Sequence, residues 1–293
     1  MSANLISDSF NQRNYVVMMA QKKNKASVFC LPSACLMFLV ATLLTGCVGD
    51  KPGLGDGTNI TVSDTARMTK SGFLSEYGRL KATQWGEGMQ CWSEQNLKAS
   101  RYNKVLVSRI VVSFASSTDR RNETMIDPND LKTLTDYFHE ALVKSLKPQM
   151  QIVDKAGPGV VVMRVALTDL VPTQVTDSIA GTLIPYAFIL EAGSGTATGR
   201  PAGSTPYMGE TGMEMQFRDG VTGAVLAECR DTEIGRKYAA DMNSGVVGAA
   251  QTWASGYLNS FQQWSYAKNA FDKWSVLIAQ RMAEMRGVSA AKK

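Results

Sequence analysis

Strands are predicted where apolar and polar positions alternate, or where a short apolar run lies between turn signals. In the stretch 102–114, the apolar residues Val105, Val107 and Ile110 suggest one buried face. The run 160–171 follows a Gly-Pro-Gly turn and is apolar enough for a central strand. The strands predicted in this half of the chain are therefore 102–114, 151–154 and 160–171.

A hairpin is predicted farther along the chain. Its turn is Asp219–Gly223, which combines aspartate and glycine in the way that tight turns require. Apolar residues alternate with polar ones on both sides of the turn, as expected for paired strands. These apolar positions are Met213, Met215 and Phe217 before the turn and Val225, Ala227 and Cys229 after it.

Two helices are predicted from apolar residues that recur every three or four positions. The first begins at Pro128, with Asp127 as its N-cap, and stops before Pro148. The second runs from Ser265 to Arg286. The predicted apolar faces are Leu131, Leu134, Phe138, Leu142 and Leu146 in the first helix, and Ala267, Ala270, Phe271, Trp274, Leu277, Ile278 and Met282 in the second.

The order of these elements predicts an α/β protein of the α+β type. We expect a mixed β-sheet with helices packed mainly on one face, because a strand–helix–strand unit is followed by a hairpin and a closing helix. A single domain is predicted at 64–287, followed by a short tail at 288–293. The segment 71–81 mixes aromatic and polar residues, and we expect it to pack on the outside of this domain.

Residues 1–46 have the plan of an export signal. A short basic stretch precedes an apolar run from Ser27 to Leu44, and the run ends in the sequence Leu-Thr-Gly-Cys. This ending matches the bacterial lipobox, in which the cysteine thiol is joined to diacylglycerol and a signal peptidase cuts before the cysteine. We therefore predict cleavage between Gly46 and Cys47 and lipidation of Cys47, which would hold the mature protein on a membrane.

The predicted lipid also sets an expected location. Val48 follows the cysteine where an aspartate would mark retention in the inner membrane, so we expect the periplasmic face of the outer membrane of a Gram-negative bacterium. Residues 47–63 are rich in Gly, Asp and Pro, which is typical of a flexible tether.

The alternative to a cleaved signal is that the apolar run from Ser27 to Leu44 is an uncleaved membrane helix, although Pro32 would interrupt it. Residues 1–17 fit no signal plan, so translation could begin at Met18 or Met19.

The charge of the processed chain argues against nucleic acid as a partner. Removing residues 1–46 takes away four basic residues and one acidic residue, which leaves 27 basic and 25 acidic residues of the 31 and 26 in the whole chain. The resulting net charge of +2 is nearly neutral, and the sequence has no stripe of basic residues of the kind that binds phosphate groups. We expect no nucleic-acid partner.

Two cysteines remain once the leader and the lipidated residue are set aside. Cys91 and Cys229 would lie in an oxidising compartment, where a disulfide between them would close a long loop and stabilise the fold by roughly 4–5 kcal/mol at most. Two separate buried thiols are the alternative, because free cysteine packs as a small hydrophobic residue. The sequence leaves both open.

No catalytic motif is recognisable in the sequence. His139, the only histidine, lies near the edge of the apolar face of the first helix, and no nucleophile stands at a spacing that would pair with it. Nucleophile elbows, phosphate-binding loops and paired-cysteine metal signatures are absent. We expect no enzymatic activity, no cofactor and no metal. An envelope hydrolase with an unfamiliar site and a purely structural envelope protein are the alternatives.

Two apolar segments are candidates for an interaction surface. The connection 172–207 is long and unusually apolar for a loop. The segment 246–264 repeats aromatic residues at spacings of four, four and three, which a helix would align in one stripe. Both could pack into the core, or they could bind an envelope protein, a hydrophobic ligand or a membrane. The candidate residues are Ile184, Tyr186 and Phe188 in the first segment and Trp253, Tyr257, Phe261 and Trp264 in the second.

Five stretches together carry a resemblance to a known family. They are SGFLSEYGRLK at 71–81, YNKVLVSRIVV at 102–112, GPGVVVMRVALTDLVP at 157–172, EMQFRDGVTGAVLAECRD at 214–231 and NAFDKWSVLIAQRM at 269–282. In these stretches the chain resembles the bacterial lipoproteins of domain-of-unknown-function family 3313. The resemblance implies an envelope lipoprotein with an α/β domain. The family has no agreed activity, so the resemblance assigns no functional residues to this chain. We expect a non-enzymatic binding or accessory domain for an envelope assembly or transport system.

Overall fold

Apolar runs and alternating stretches of the sequence form the strands of one mixed sheet. The computed structural model describes residues 60–113, 126–176, 194, 196–237, 251, 254–255, 258–259 and 262–288. The strands within them are β1 (Thr61–Ser63), β2 (Lys81–Ala82), β3 (Gln90–Ser93), β4 (Lys104–Val107), β5 (Val111–Val112), β6 (Gln151–Ile152), β7 (Val160–Val171), β8 (Glu210–Asp219) and β9 (Val225–Gly235). The long helices in this part of the chain are α1 (Pro128–Leu146) and α2 (Ser265–Met285).

The sheet combines parallel and antiparallel pairs. Its strand order is β2-β3-β9-β8-β7-β4-β6, with β1 also paired to β9 and β5 also paired to β7. β4 runs parallel to β6 and β7, as a crossover through α1 requires, whereas β7, β8, β9 and β3 pair antiparallel in succession. The predicted mixed sheet of an α+β domain is confirmed.

Both long helices lie on the same face of the sheet, as predicted. α1 lies over β4 and β5, and α2 lies over β8 and β9. Asp127 caps α1 by accepting a hydrogen bond from the Asn129 amide at 2.7 Å. The two helices meet where Phe138 stacks on Phe271, with ring centroids 4.6 Å apart. Within the described residues, no helix is long and apolar enough to cross a membrane.

The first predicted strand, 102–114, is broken in the structure. β4 ends at Val107 and β5 begins at Val111, and both pair with β7. Val107 lies opposite Met163 and Val111 opposite Ala166, so this strand carries one more residue than β7 across the gap. An extra residue of this kind bends a strand and interrupts its ladder. Ile110 in the gap is nevertheless buried, as its pattern predicts.

The predicted tether extends too far along the chain. Residues Thr61–Ser63 form β1, which pairs with the end of β9 at Gly235, Ile234 and Glu233. Ile60 is only 3% exposed. The free edge of β9 offers unpaired backbone groups, and this short extended segment satisfies them. The folded domain therefore includes residues from Ile60 onward rather than from position 64.

The sheet face opposite the helices is covered by residues 64–79, whose polar side chains meet polar side chains of β8 and β9. Glu210 pairs with Arg67 at 2.8 Å, and Glu228 pairs with Arg79 at 2.7 Å. Glu214 accepts hydrogen bonds from the Tyr77 hydroxyl at 2.8 and 2.9 Å. The alternation predicted for the hairpin is thus correct, but its polar side chains are buried beneath this cover rather than exposed to water.

Candidate functional site

The sheet is wider than two helices can cover. With strands roughly 4.8 Å apart, the seven-strand path of the described residues spans about 29 Å between its outer strands. Two helices side by side cover about 20 Å, because each is about 10 Å across. Since α1 and α2 lie over β4, β5, β8 and β9, the strands β2 and β3 project beyond α2. Among the described residues, a groove runs along this margin.

The groove has a floor of β-sheet and one wall of helix. Its floor is formed mainly by β3 and β9, where a disulfide joins Cys91 to Cys229 across directly paired positions with Cα atoms 4.1 Å apart. The C-terminal half of α2 forms one wall, and the loop between β2 and β3 lies opposite. The apolar lining comprises Phe217, Leu226 and Ala227 from the floor, Ile278, Met282 and Met285 from α2, and Trp85, Trp92, Leu97 and Tyr102 from the remaining sides.

The size of the groove suits a small hydrophobic molecule. Its volume is about 250 Å³. A cavity of roughly 150 Å³ lined by aliphatic and aromatic side chains holds benzene. The groove reaches from the core, where Cys229 is 4% exposed, to the half-buried Trp85 and Met282 near the surface. It can therefore accommodate an extended apolar segment such as one alkyl chain, and concave apolar sites of this kind are where hydrophobic ligands usually bind.

Polar side chains lie at the margin of the groove, and one of them, Tyr102, is held by the hairpin turn. The Tyr102 hydroxyl donates a hydrogen bond to Asp219 Oδ2 at 2.7 Å. Burial and this bond raise the pKa of Tyr102 to about 12, so its hydroxyl stays neutral. No histidine, aspartate or glutamate is among the described residues that line the groove.

A second cluster of charges is buried beneath α2. Lys273 Nζ lies 2.7 Å from Glu233 Oε1, and Trp274 Nε1 donates to Asp231 Oδ2 at 2.8 Å. Burial raises the pKa of Glu233 to about 7, with Asp231 adding to the rise and Lys273 opposing it. None of these residues lines the groove. We assign the cluster a structural role.

The site residues predicted from the sequence lie mostly outside the described residues. Trp264 is the described member of the predicted interaction surface; it is half-buried against the core, and its Nε1 donates to Asp130 Oδ2 at 2.9 Å. The indole therefore joins α2 to α1. Those outside the described residues are Gly46, Cys47, Ile184, Tyr186, Phe188, Trp253, Tyr257 and Phe261.

His139 and the acidic side chains of the described residues lie apart from the lining of the groove. His139 is half-buried on α1 and does not line the groove. Within the described ranges, no group of three or more His, Cys, Asp or Glu side chains could hold a metal ion.

Sequence reasoning missed most of the groove. Cys91 and Cys229 are singled out in the sequence as a possible disulfide, but Trp85 and Trp92 are not, because they lie in a stretch without a regular spacing of apolar residues. One signal was available in the second helix. The predicted apolar face of this helix includes Met282, which is only partly buried in the structure because it faces the groove.

The family whose model matches this chain is described as "Protein of unknown function (DUF3313)", and the match spans residues 69–278. This chain belongs to the DUF3313 family. The resemblance predicted from the sequence is thereby confirmed. The matched range of this DUF3313 protein runs from the segment that covers the sheet through α2 as far as Ile278.

Two solved structures are similar to part of this DUF3313 protein. Both are PelC dodecamers from Paraburkholderia phytofirmans, one of them a variant, and they share 13% and 14% sequence identity with this chain. The matches cover 60% of this chain and 95% and 98% of those chains, each with a TM-score of 0.28. With a TM-score this low, nothing further about this chain follows from the likeness. A search of curated proteins found no match.

Proposed function

We propose that this DUF3313 protein is a lipid-anchored envelope protein whose folded domain is a non-enzymatic binding domain for a hydrophobic ligand. The lipid would be attached at Cys47, and the expected location is the periplasmic face of the outer membrane. The basic stretch, the apolar run and the Leu-Thr-Gly-Cys ending support the anchor. A domain of this kind would serve as an accessory to an envelope assembly or transport system.

The groove beside α2 is the observation that carries the binding role. Moving a methylene group from water onto apolar surface is worth about 0.8 kcal/mol, so about eight methylenes would contribute about 6 kcal/mol before the entropic cost of association. The floor of the groove is rigid, because paired strands and a disulfide hold it. A preformed site of this kind loses little conformational freedom when a ligand binds.

Intact-mass measurement of the membrane-extracted protein tests the anchor. The wild-type chain should lack residues 1–46 and carry acyl chains, and the Cys47→Ser variant should carry none. A wild-type mass that retains the leader and lacks acyl chains would contradict the anchor, and residues 27–44 would then be assigned to a membrane helix.

Photo-crosslinking in isolated membranes that carry the full chain tests the groove. The probe is a dodecyl chain with a diazirine at its middle and a carboxylate head, and labelled peptides are mapped by mass spectrometry. We expect labelling of peptides from the segments 81–97 and 278–286. The Ala227→Phe variant fills the floor of the groove and should lose most of this labelling, whereas Ala224→Phe, on the exposed hairpin turn, should keep it. Equal labelling of the two variants would contradict the binding role of the groove.

A further inference from the structure

The charged residues that line the groove all carry the same sign. They are Lys81 on β2 and Arg281 and Arg286 at the C-terminal end of α2, a set that we call the cationic rim. Arg281 reaches across the groove, with its guanidinium carbon 5.8 Å from the centroid of the Trp85 ring. No acidic residue is among the described residues of the lining. The groove therefore joins an apolar floor to a positively charged margin.

The side chains of the cationic rim have few strong partners among the described residues. Lys81 is exposed and forms no ion pair with any described residue. Arg281 pairs with Glu284 at 3.1 Å, but both side chains are well exposed, so this pair is weak and screened by salt. Arg286 donates from Nη1 to the Gln149 carbonyl at 2.8 Å, while its buried Nε atom has no hydrogen-bond partner among the described residues. Lys81 and Arg281 are therefore accessible to an additional anionic partner.

We propose that the groove binds a single-chain amphiphile with an anionic head group, its alkyl chain lying on the apolar floor and its carboxylate or phosphate held by the cationic rim. This inference rests on the proposed function and names the ligand class of the same site. Charge complementarity selects this occupant. An uncharged head would cover guanidinium donors without replacing their water, and a cationic head would be repelled.

Head-group chemistry is the variable that tests this inference. The same dodecyl diazirine chain is used with a carboxylate, an alcohol or an amine head, in isolated membranes that carry the full chain. Labelling of the groove peptides is corrected for partition into the membrane by subtracting the labelling of the Ala227→Phe variant. We expect the carboxylate probe to label the groove at least about tenfold more than the alcohol or the amine, because charge-assisted hydrogen bonds are roughly twice as strong as neutral ones.

Variants of the cationic rim give the matched comparison. The double variant Lys81→Met/Arg281→Met removes two of the three cations while methionine keeps most of their apolar length, and we expect carboxylate labelling to fall about tenfold. Lys132→Met is the control, because Lys132 is a well-exposed lysine on α1 and does not line the groove.

The outcomes distinguish failure of the inference from failure of the proposed function. If the alcohol probe labels the groove as strongly as the carboxylate, or if the double variant behaves like Lys132→Met, the anionic head group is refuted while a hydrophobic binding site remains. If no probe labels the groove above the level of Ala227→Phe, the proposed binding function itself fails. A carboxylate preference that disappears in the double variant supports the inference.

Discussion

Replacing Lys273 with methionine probes the charge cluster buried beneath α2. The Lys273 ammonium group lies 2.7 Å from Glu233 Oε1 and 3.9 Å from Glu87 Oε2. Since the Glu87 side chain is 76% exposed and that of Glu233 is fully buried, Glu233 is the partner that matters for stability. Methionine keeps most of the apolar length of lysine, so the substitution removes charge with little loss of packing.

The size of the effect follows from leaving a buried carboxylate without its cation. Removing one partner of a buried ion pair typically costs about 3–5 kcal/mol, because the remaining charge has neither water nor a counter-ion. Asp231, also buried, adds a second negative charge close by. We therefore expect the free energy of unfolding at pH 8 to fall by about 3–5 kcal/mol in Lys273→Met.

The loss should depend on pH, because Glu233 can take up a proton. Burial raises its pKa from the ordinary 4.5 to about 7. Between these values the folded protein holds a proton that the unfolded chain has released, so the contribution of Glu233 to stability is fully present below pH 4.5 and is lost as the pH rises to about 7. Lys273 opposes the rise in pKa, so in its absence the decline extends above pH 7. The loss should be smaller at pH 5 than at pH 8 by at least about 1.4 kcal/mol, which corresponds to one pKa unit.

Urea unfolding of the full chain in mild detergent, followed by near-ultraviolet circular dichroism, measures these losses. Lys268→Met is the control on the same helix; the Lys268 ammonium lies 5.4 Å from the Tyr137 ring centroid, and its loss should stay below about 1 kcal/mol. The double variant Glu233→Gln/Lys273→Met removes both charges and should be more stable than Lys273→Met at pH 8. Equal losses at pH 5 and pH 8, or a double variant no more stable than Lys273→Met, would refute the reasoning.

Other contacts can be tested by the same unfolding assay. Reducing the Cys91–Cys229 disulfide should lower the free energy of unfolding by at most about 5 kcal/mol, because the bond joins residues 138 positions apart; an unchanged midpoint on reduction would mean that the thiols are not paired. Burial would raise the pKa of Glu228, but hydrogen bonds from residues 64–79 outweigh it and lower that pKa to about 2. The charge of Glu228 therefore stabilises the fold above pH 4.5, and this contribution is lost as the pH falls towards 2. Glu228→Gln should flatten the dependence of the free energy of unfolding on pH in this range, and an unaltered dependence would contradict the lowered pKa. Phe271→Ala should cost about 3–5 kcal/mol, since the ring is fully buried and stacked on Phe138, and a loss below about 1 kcal/mol would contradict the packing described.

The long elements of this fold follow from local sequence. α1 begins after the Asp127 cap and ends before Pro148, and β7 coincides with the apolar run 160–171. Apolar period and terminal residues act over a few positions, so one stretch of sequence carries the whole signal. The break between β4 and β5 lacks such a signal, because the extra residue is apparent only when the strand is aligned with its neighbour.

The groove and the burial of the polar sheet face by residues 64–79 could not be predicted in the same way, since each depends on segments that are far apart in the chain. Glu214 and Gln216 alternate with apolar residues and look solvent-facing, but residues 64–79 bury them without showing any hydrophobic period of their own. The groove combines the segments 81–97 and 278–286 with the hairpin strands. The groove exists because the sheet is wider than the two helices that pack on it, and this difference in width cannot be read from any single segment of the sequence.

The same uncovered margin explains why the groove and the disulfide occur together. β3 joins the sheet through β9 at four paired positions, Gln90–Ser93, and lies beyond the helices that bury the central strands. It therefore lacks the burial that usually stabilises a strand. The Cys91–Cys229 bond crosses this pair, and the Arg79 guanidinium lies 3.4 Å from the centroid of the Trp92 ring. Because a covalent bond and a cation–π contact hold the margin in place, its apolar floor can remain open to a ligand.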